Sequence, residues 1–85
     1  MTNEEIYETL DRILPVVNRA HGKNHPELHK VLALYNKIRK KPLAKYFLKI
    51  EKLTNNYSVP EDACATFEKA YNLLSILDNN ICAEN

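Results

Sequence analysis

The sequence predicts an all-α protein, a small up-down four-helix bundle, on three observations. Only one glycine and four prolines occur in 85 residues, and strands joined by tight turns would need more glycine than that. Hydrophobic residues make up 45% of the chain, and they recur at helical spacings of three and four. A chain of this length has room for one small core. We therefore expect residues 1–85 to form a single helical-bundle domain.

The first helix is predicted to span residues 3–20. Thr2 and Glu5 match a capping box at its N-terminus. Pro15 removes one helical hydrogen bond and is expected to bend the helix, and Gly22 is expected to end it as a C-terminal glycine. The apolar stripe of this helix consists of Ile6, Leu10, Ile13, Val17 and Ala20.

Two further apolar stripes lie on either side of Pro42. Pro26 fits the first position of a second helix, and His25 is then the candidate N-cap. The residues of the two stripes are Leu28, Val31, Leu32, Tyr35 and Ile38, then Leu43, Tyr46, Phe47, Ile50 and Leu53. The segment RKKP at residues 39–42 is compatible with a tight turn or with a kink. The alternative architecture is therefore a three-helix bundle, in which helices 2 and 3 are fused at Pro42.

The last helix is predicted to begin at a second capping box, Ser58 with Glu61, and to continue to about Ala83. Both cysteines fall within it. Cys64 and Cys82 are 18 residues apart, which is about 27 Å along a helix and too far for a disulfide. We expect both thiols to be reduced and buried. The apolar stripe of this helix consists of Ala63, Phe67, Ala70, Leu74, Leu77 and Ile81.

Charge is distributed unevenly, although the formal net charge is only +1. Residues 23–52 contain nine basic and two acidic residues, a net charge of +7, whereas the rest of the chain has three basic and nine acidic residues, a net charge of −6. The simplest interpretation is that the basic middle and the acidic ends attract each other and solvate their outer faces. The alternative is that the basic stretch 37–52 binds an anionic partner. The candidate anion-binding residues are Arg39, Lys40, Lys41 and Lys45.

Two blocks of the sequence, HGKNHPEL at residues 21–28 and LTNNYSVPEDACATF at residues 53–67, resemble the iron-sulfur cluster repair proteins, a family of hemerythrin-like di-iron domains. Residues 21–28 (HGKNHPEL) are similar to the family's VHGxxHPEL junction between its first two helices. Residues 53–67 (LTNNYSVPEDACATF) are similar to its LTNxYxxPExACxTW segment, which leads into the last helix. Glu84 and Asn85 match the end of its HxxxEN motif. The resemblance covers most of the chain.

The resemblance implies a hemerythrin-like bundle whose iron ligands are His and Glu side chains from all four helices. In this sequence most of those ligands are replaced or missing. Asn80 stands where the HxxxEN motif has its histidine, and Lys40 aligns with the histidine of helix 3. Glu84 is the one matched ligand. The candidate metal-binding residues are Glu84, His21 and His25, and iron is the possible cofactor, although no cofactor is expected to be bound.

Three functions are compatible with the sequence, and none of them is enzymatic. The first is a degenerate hemerythrin-like module that acts by protein interaction or regulation rather than by di-iron chemistry. The second is a metal-binding stress-response protein whose site is completed by oligomerisation. The third is the anionic-partner binder, for which nucleic acid is possible but not favoured. No apolar run is long enough for a membrane span and the N-terminus is acidic, so we expect a cytoplasmic protein with no membrane partner.

Overall fold

The computed structural model describes residues 1–83, which form four α-helices. These are α1 (Asn3–His21), α2 (Glu27–Lys40), α3 (Ala44–Thr54) and α4 (Ala65–Cys82), and no strand occurs in the described range. The all-α class and the four-helix bundle are confirmed. The three-helix alternative is wrong, because Lys41 leaves the helical conformation at φ −154° and ψ 107°. That extended geometry is the one favoured for a residue preceding proline, here Pro42.

The helices pack as two pairs, α1 on α4 and α2 on α3, with α1 also in contact with α2 and a smaller interface between α3 and α4. The pair α1 and α4 is antiparallel. At one end the Asn80 side-chain amide donates to Asn3 Oδ1 at 3.0 Å. At the other end His21 Nε2 lies 3.3 Å from Cys64 Sγ. The end of α1 and the start of α4 therefore meet at one end of the bundle.

The core contains apolar residues from all four helices, and most of the predicted stripe positions are buried. In α1 the stripe is rotated slightly from the prediction. Leu14 is buried, whereas Ile13 is only partly buried and Ala20 is exposed. At about 100° per residue, the buried arc is centred near Leu10, and Ile13 and Ala20 lie at its border. The largest fully buried side chains are Tyr35, Tyr71, Phe47 and Phe67.

Gly22 ends α1, but in a right-handed rather than a left-handed conformation, with φ −60° and ψ −25°. Glycine is therefore needed here because there is no room for a Cβ atom, and not because φ is positive. A Cβ at this position would collide with the carbonyl oxygen of Asn18 and would lie 3.0 Å from His29 Cε1. The absence of a side chain allows the start of α2 to pass close to the end of α1.

The predicted N-termini of two helices are corrected by the structure. Helix α2 begins at Glu27, and Pro26, which makes no side-chain cap, takes the N-cap position expected for His25. Helix α4 begins at Ala65 with Cys64 as its N-cap, so the capping box predicted for Ser58 and Glu61 does not start it. Residues 60–63 instead form a separate turn, closed by a hydrogen bond from the Ala63 amide to the Pro60 carbonyl.

A left-handed turn at Asn55 and Asn56 follows α3. Three consecutive non-glycine residues, Asn55, Asn56 and Tyr57, have φ values of 51°, 60° and 62°, a region that bulky side chains such as tyrosine rarely adopt. Two hydrogen bonds hold Tyr57 there. Its amide donates to Thr54 Oγ1 at 2.8 Å, and its hydroxyl donates to Asp78 Oδ2 at 2.7 Å. These bonds attach the end of α3 to α4.

Candidate functional site

The two histidines predicted as metal ligands lie at the same end of the bundle, against the turn that precedes α4. His21 Nε2 lies 3.3 Å from Cys64 Sγ. His25 Nε2 lies 2.8 Å from Asp62 Oδ1, and its Nδ1 lies 3.3 Å from Glu27 Oε2. The hydrogen bond with His25 lowers the pKa of the Asp62 carboxyl. We call His21, His25, Asp62 and Cys64 the histidine end.

Phe67 holds the two imidazoles of the histidine end in place. The His21 ring lies 5.0 Å from the Phe67 ring and the His25 ring 5.5 Å from it, both in edge-to-face geometry. Phe67 is fully buried and also packs edge-to-face on Tyr71 at 4.9 Å. One core residue of α4 therefore positions side chains from α1 and from the loop before α2.

Only two of the three predicted metal-binding residues, His21 and His25, lie in the described part of the chain. Glu84 lies outside the described residues. Within residues 1–83, no group of three or more His, Cys, Asp or Glu side chains is arranged to hold a metal ion. His21 and His25 lie at the same end of the bundle, and their imidazoles contact Cys64, Asp62 and Glu27 within the fold.

The two cysteines are both free, as predicted, but they are not both buried. Cys64 is exposed, and its sulfur accepts a hydrogen bond from the Phe67 amide at 3.5 Å, as the N-cap of α4. Cys82 is partly buried, and burial together with a hydrogen bond to Asp78 raises the pKa of its thiol to about 11. The sequence interpretation missed the partner of Cys64, because His21 is 43 residues away and only the antiparallel packing of α1 on α4 brings them together.

We expect the two thiols to differ in reactivity. The thiolate is the reacting form, so the high pKa and partial burial of Cys82 should slow its alkylation, whereas Cys64 is exposed. At pH 7.5 iodoacetamide should modify Cys64 at least about tenfold faster than Cys82, as measured by intact mass against time. The variants Cys64→Ser and Cys82→Ser assign each alkylation rate to one thiol. Equal rates would contradict the environment described for one of the two cysteines.

A second polar cluster lies between α3 and α4, around Asp78. Asp78 is buried and accepts the Tyr57 hydroxyl hydrogen bond at 2.7 Å. A side-chain hydrogen bond with Asp78, then burial, then the negative charge of Asp78 raise the pKa of Glu51. Burial, followed by the bond to Asp78, also raises the pKa of Tyr57. Two carboxyl groups therefore lie close together in one partly buried space, and Glu51 ionises there only at a cost.

Glu51→Gln is expected to stabilise the protein above the pKa of Glu51. A folded-state pKa above the unfolded one means that the folded state binds the proton more tightly, so stability falls as the pH rises through that interval. Glutamine keeps a hydrogen-bond donor for Asp78 without the charge. We expect a gain of up to about 0.5 kcal/mol at pH 8, the size of a like-charge contact, and none near pH 4.

The measurement for Glu51→Gln is urea unfolding at both pH values. The matched control is Glu61→Gln, because Glu61 is exposed in the turn before α4 and forms no ion pair in the described part of the chain. A gain of equal size at pH 4 and pH 8 would show that charge at position 51 is not the cause.

The predicted anion-binding residues differ in their surroundings. Arg39 is engaged within the fold by Asp11, through Nε at 3.1 Å and Nη2 at 3.0 Å, and that pairing raises the pKa of its guanidinium. Its guanidinium also lies 4.6 Å from the centre of the Tyr7 ring. Lys40 and Lys41 are exposed at the end of α2. Lys45 Nζ lies 5.4 Å from the centre of the Tyr46 ring.

The sequence interpretation missed a different set of lysines, which surround an open groove between α2 and α3. The groove has a volume of about 430 Å³ and an apolar floor of Ala33, Leu34 and Leu53. Leu34 is 8% exposed and belongs to the core, so the floor is continuous with the interior. We call this surface the lysine groove; its rim is formed by Lys30, Lys37, Lys49 and Lys52.

No carboxylate neutralises the rim within the described chain. Ion pairs in residues 1–83 join His25 to Glu27 and Asp62, and Arg39 to Asp11, and none involves a rim lysine. Lys37 Nζ lies 5.9 Å from the centre of the Tyr46 ring. Four cations therefore surround an apolar strip on one face of the bundle.

Comparison of the chain with protein-family models, with curated proteins and with solved structures gives no match. None of the helices described here combines the length and the apolar character that crossing a membrane requires. The fold and the surface define a small four-helix protein with two distinct polar features, the histidine end and the lysine groove.

Proposed function

We propose that this chain is a small protein-interaction module that binds an acidic partner protein through the lysine groove. The observation that carries the proposal is the combination of an apolar floor with four rim lysines that have no ion-pair partner in residues 1–83. Like charges around one groove repel each other, and a partner that supplies carboxylates relieves that repulsion while it covers the apolar strip.

The composition of the groove favours a protein over a nucleic acid. A phosphate backbone is hydrated and offers little to bury against the floor of Ala33, Leu34 and Leu53. The cation best suited to paired recognition of phosphate oxygens is arginine, and Arg39 already donates two hydrogen bonds to the Asp11 carboxylate. Lysines around an apolar centre instead match the usual arrangement of a protein interface, in which a polar rim surrounds an apolar core.

The proposed function is tested by binding of a fluorescein-labelled acidic peptide, followed by anisotropy at low and high salt. We expect the peptide to bind, and we expect this binding to weaken as salt is added. The double variant Lys37→Glu/Lys49→Glu should bind the peptide much more weakly. The matched control is Lys40→Glu/Lys41→Glu, which changes the net charge equally within the same basic stretch but outside the groove. An equal loss of affinity in both double variants would show that the peptide is attracted by the overall charge. That result would contradict a function specific to the groove.

Descent from the iron-sulfur cluster repair proteins is part of the same hypothesis, because it explains a helical bundle that acts without di-iron chemistry. Location in the cytoplasm is likewise retained as a prediction. The metal-binding alternative, with a site completed by a second copy, is tested by iron and zinc content measured together with native mass. Close to two irons per chain or per dimer would favour that alternative over the interaction module.

A further inference from the structure

We infer that the occupant of the lysine groove is an amphipathic α-helix of a partner protein, with apolar residues along one face and carboxylates on both sides of that face. This inference rests on the proposed function and names the class of partner. It follows from the arrangement of the rim, from the secondary structure around the groove and from the charge of the surface.

The rim lysines are arranged as two pairs, one on each wall of the groove. Lys30 and Lys37 come from α2, and Lys49 and Lys52 come from α3. Seven residues separate Lys30 from Lys37, which is about 10.5 Å, or two helical turns. A bound helix presents side chains at the same seven-residue repeat. Carboxylates placed one heptad apart on its flanks therefore reach both ends of the α2 wall.

The floor of the groove suits the apolar stripe of a helix. Ala33 and Leu34 lie on α2 between the two rim lysines of that wall, and Leu53 lies beside Lys52 on α3. Small side chains such as alanine allow another helix to approach closely. Two neighbouring helices create a groove into which the ridge of a third helix fits, with axes about 8 to 10 Å apart. The three apolar residues would then be covered by leucine-sized side chains at helical spacing.

An extended peptide is less suited to this surface. Strand addition requires an exposed sheet edge whose backbone groups are unpaired, and the described residues contain no strand. The backbone groups of α2 and α3 are used within their own helices. A helix brings its backbone hydrogen bonds already satisfied and needs only side-chain contacts from the groove.

A second copy of this chain is less suited to the groove. The acidic ends of the chain are α1 and α4, and the apolar stripes of both helices are buried in the core of the bundle. Each of these helices exposes one large apolar side chain, Val16 on α1 and Ile76 on α4, which is too few to form an apolar stripe over the groove. We therefore assign the groove to a helix of a partner protein.

The probe is a peptide of about 18 residues, enough for five helical turns, with leucine at the a and d positions, glutamate at e and g, and alanine elsewhere. Glutamates on the flanks of one peptide repel those of another peptide, which keeps the probe monomeric. The first control peptide has the same composition in a scrambled order that destroys the apolar stripe. The second keeps the leucines and replaces every glutamate by glutamine.

We expect the amphipathic acidic peptide to bind at least about tenfold more tightly than either control peptide, with a rise in helicity on binding. Lys37→Glu/Lys49→Glu should weaken binding at least about tenfold, and Lys40→Glu/Lys41→Glu less than about twofold. Ala33→Glu, which places a charge on the floor, should weaken binding strongly. Its matched control is Asn36→Glu, because Asn36 is exposed on α2 but does not line the groove.

The possible failures of the two proposals are distinguishable. Equal binding of the amphipathic and scrambled acidic peptides would overturn the helix inference and leave the acidic-partner function in place. No binding of any acidic peptide at low salt would overturn both. Tighter binding of duplex DNA than of the peptide would overturn the protein-interaction function in favour of a nucleic acid. A native mass that shows dimers blocked by the peptide would identify a second copy as the occupant.

Discussion

Leu74→Ala is expected to lower the free energy of unfolding by about 2 to 5 kcal/mol, the range for truncating a buried leucine. Leu74 lies in the middle of α4 and is 0% exposed. Its truncation leaves a cavity in the hydrophobic core, and the neighbouring side chains can only partly relax into that cavity. The total stability of a domain is about 5 to 15 kcal/mol, so the variant should be close to the limit of stable folding.

Urea unfolding of Leu74→Ala measures this loss, and Ile76→Ala is its matched control on the same helix. Ile76 is 46% exposed, and alanine has the better helix propensity, so the control should change the unfolding free energy by less than about 0.5 kcal/mol. If the two variants lose the same amount, the face of α4 that is turned towards the core has been misassigned.

Phe67→Ala should have an effect of similar or larger size, about 3 to 5 kcal/mol, and should also change the histidine end. The Phe67 ring is fully buried, packs on Tyr71, and contacts the rings of His21 and His25. Its loss removes both core packing and the surface that positions the two imidazoles. We therefore expect a large fall in the midpoint of thermal unfolding together with altered imidazole resonances.

Phe67→Leu separates these two effects. Leucine keeps most of the apolar volume and should cost less than the alanine substitution, but it has no aromatic ring current. The imidazole proton resonances of His21 and His25 should therefore move in Phe67→Leu while the bundle stays folded. Unchanged imidazole resonances in a folded Phe67→Leu protein would show that the two histidines do not pack on this ring in solution.

Local sequence patterns predicted the fold, because the stripes that define the helices depend on spacings of three and four residues. Phe67, Ala70, Leu74 and Leu77 were identified as core residues in this way, and all four are buried. Pro42 left two architectures open, since a proline can kink a helix or end it. The extended Lys41 shows that the helix ends.

The contacts of the candidate sites could not be predicted, because they join residues distant in sequence. The contact between His21 and Cys64 spans 43 residues, and the bond from the Tyr35 hydroxyl to Asp11 spans 24. The basic stretch was visible in the sequence, but the sequence did not show which of its side chains are paired within the fold and which line a groove. Only the packing of α1 on α2 shows that Arg39 is paired with Asp11, and only the packing of α2 on α3 shows that other basic side chains surround an apolar floor.

The most direct test of the lysine groove as a binding site is a titration of the ¹⁵N-labelled protein with the amphipathic acidic peptide, followed by amide chemical shifts. We predict that the largest changes occur on the outer face of α2 and α3, at Ala33, Leu34, Lys49 and Leu53, and that the histidine end is unaffected. Changes centred on residues 39–45 or on His21 and Cys64, with none in the groove, would contradict the proposed site.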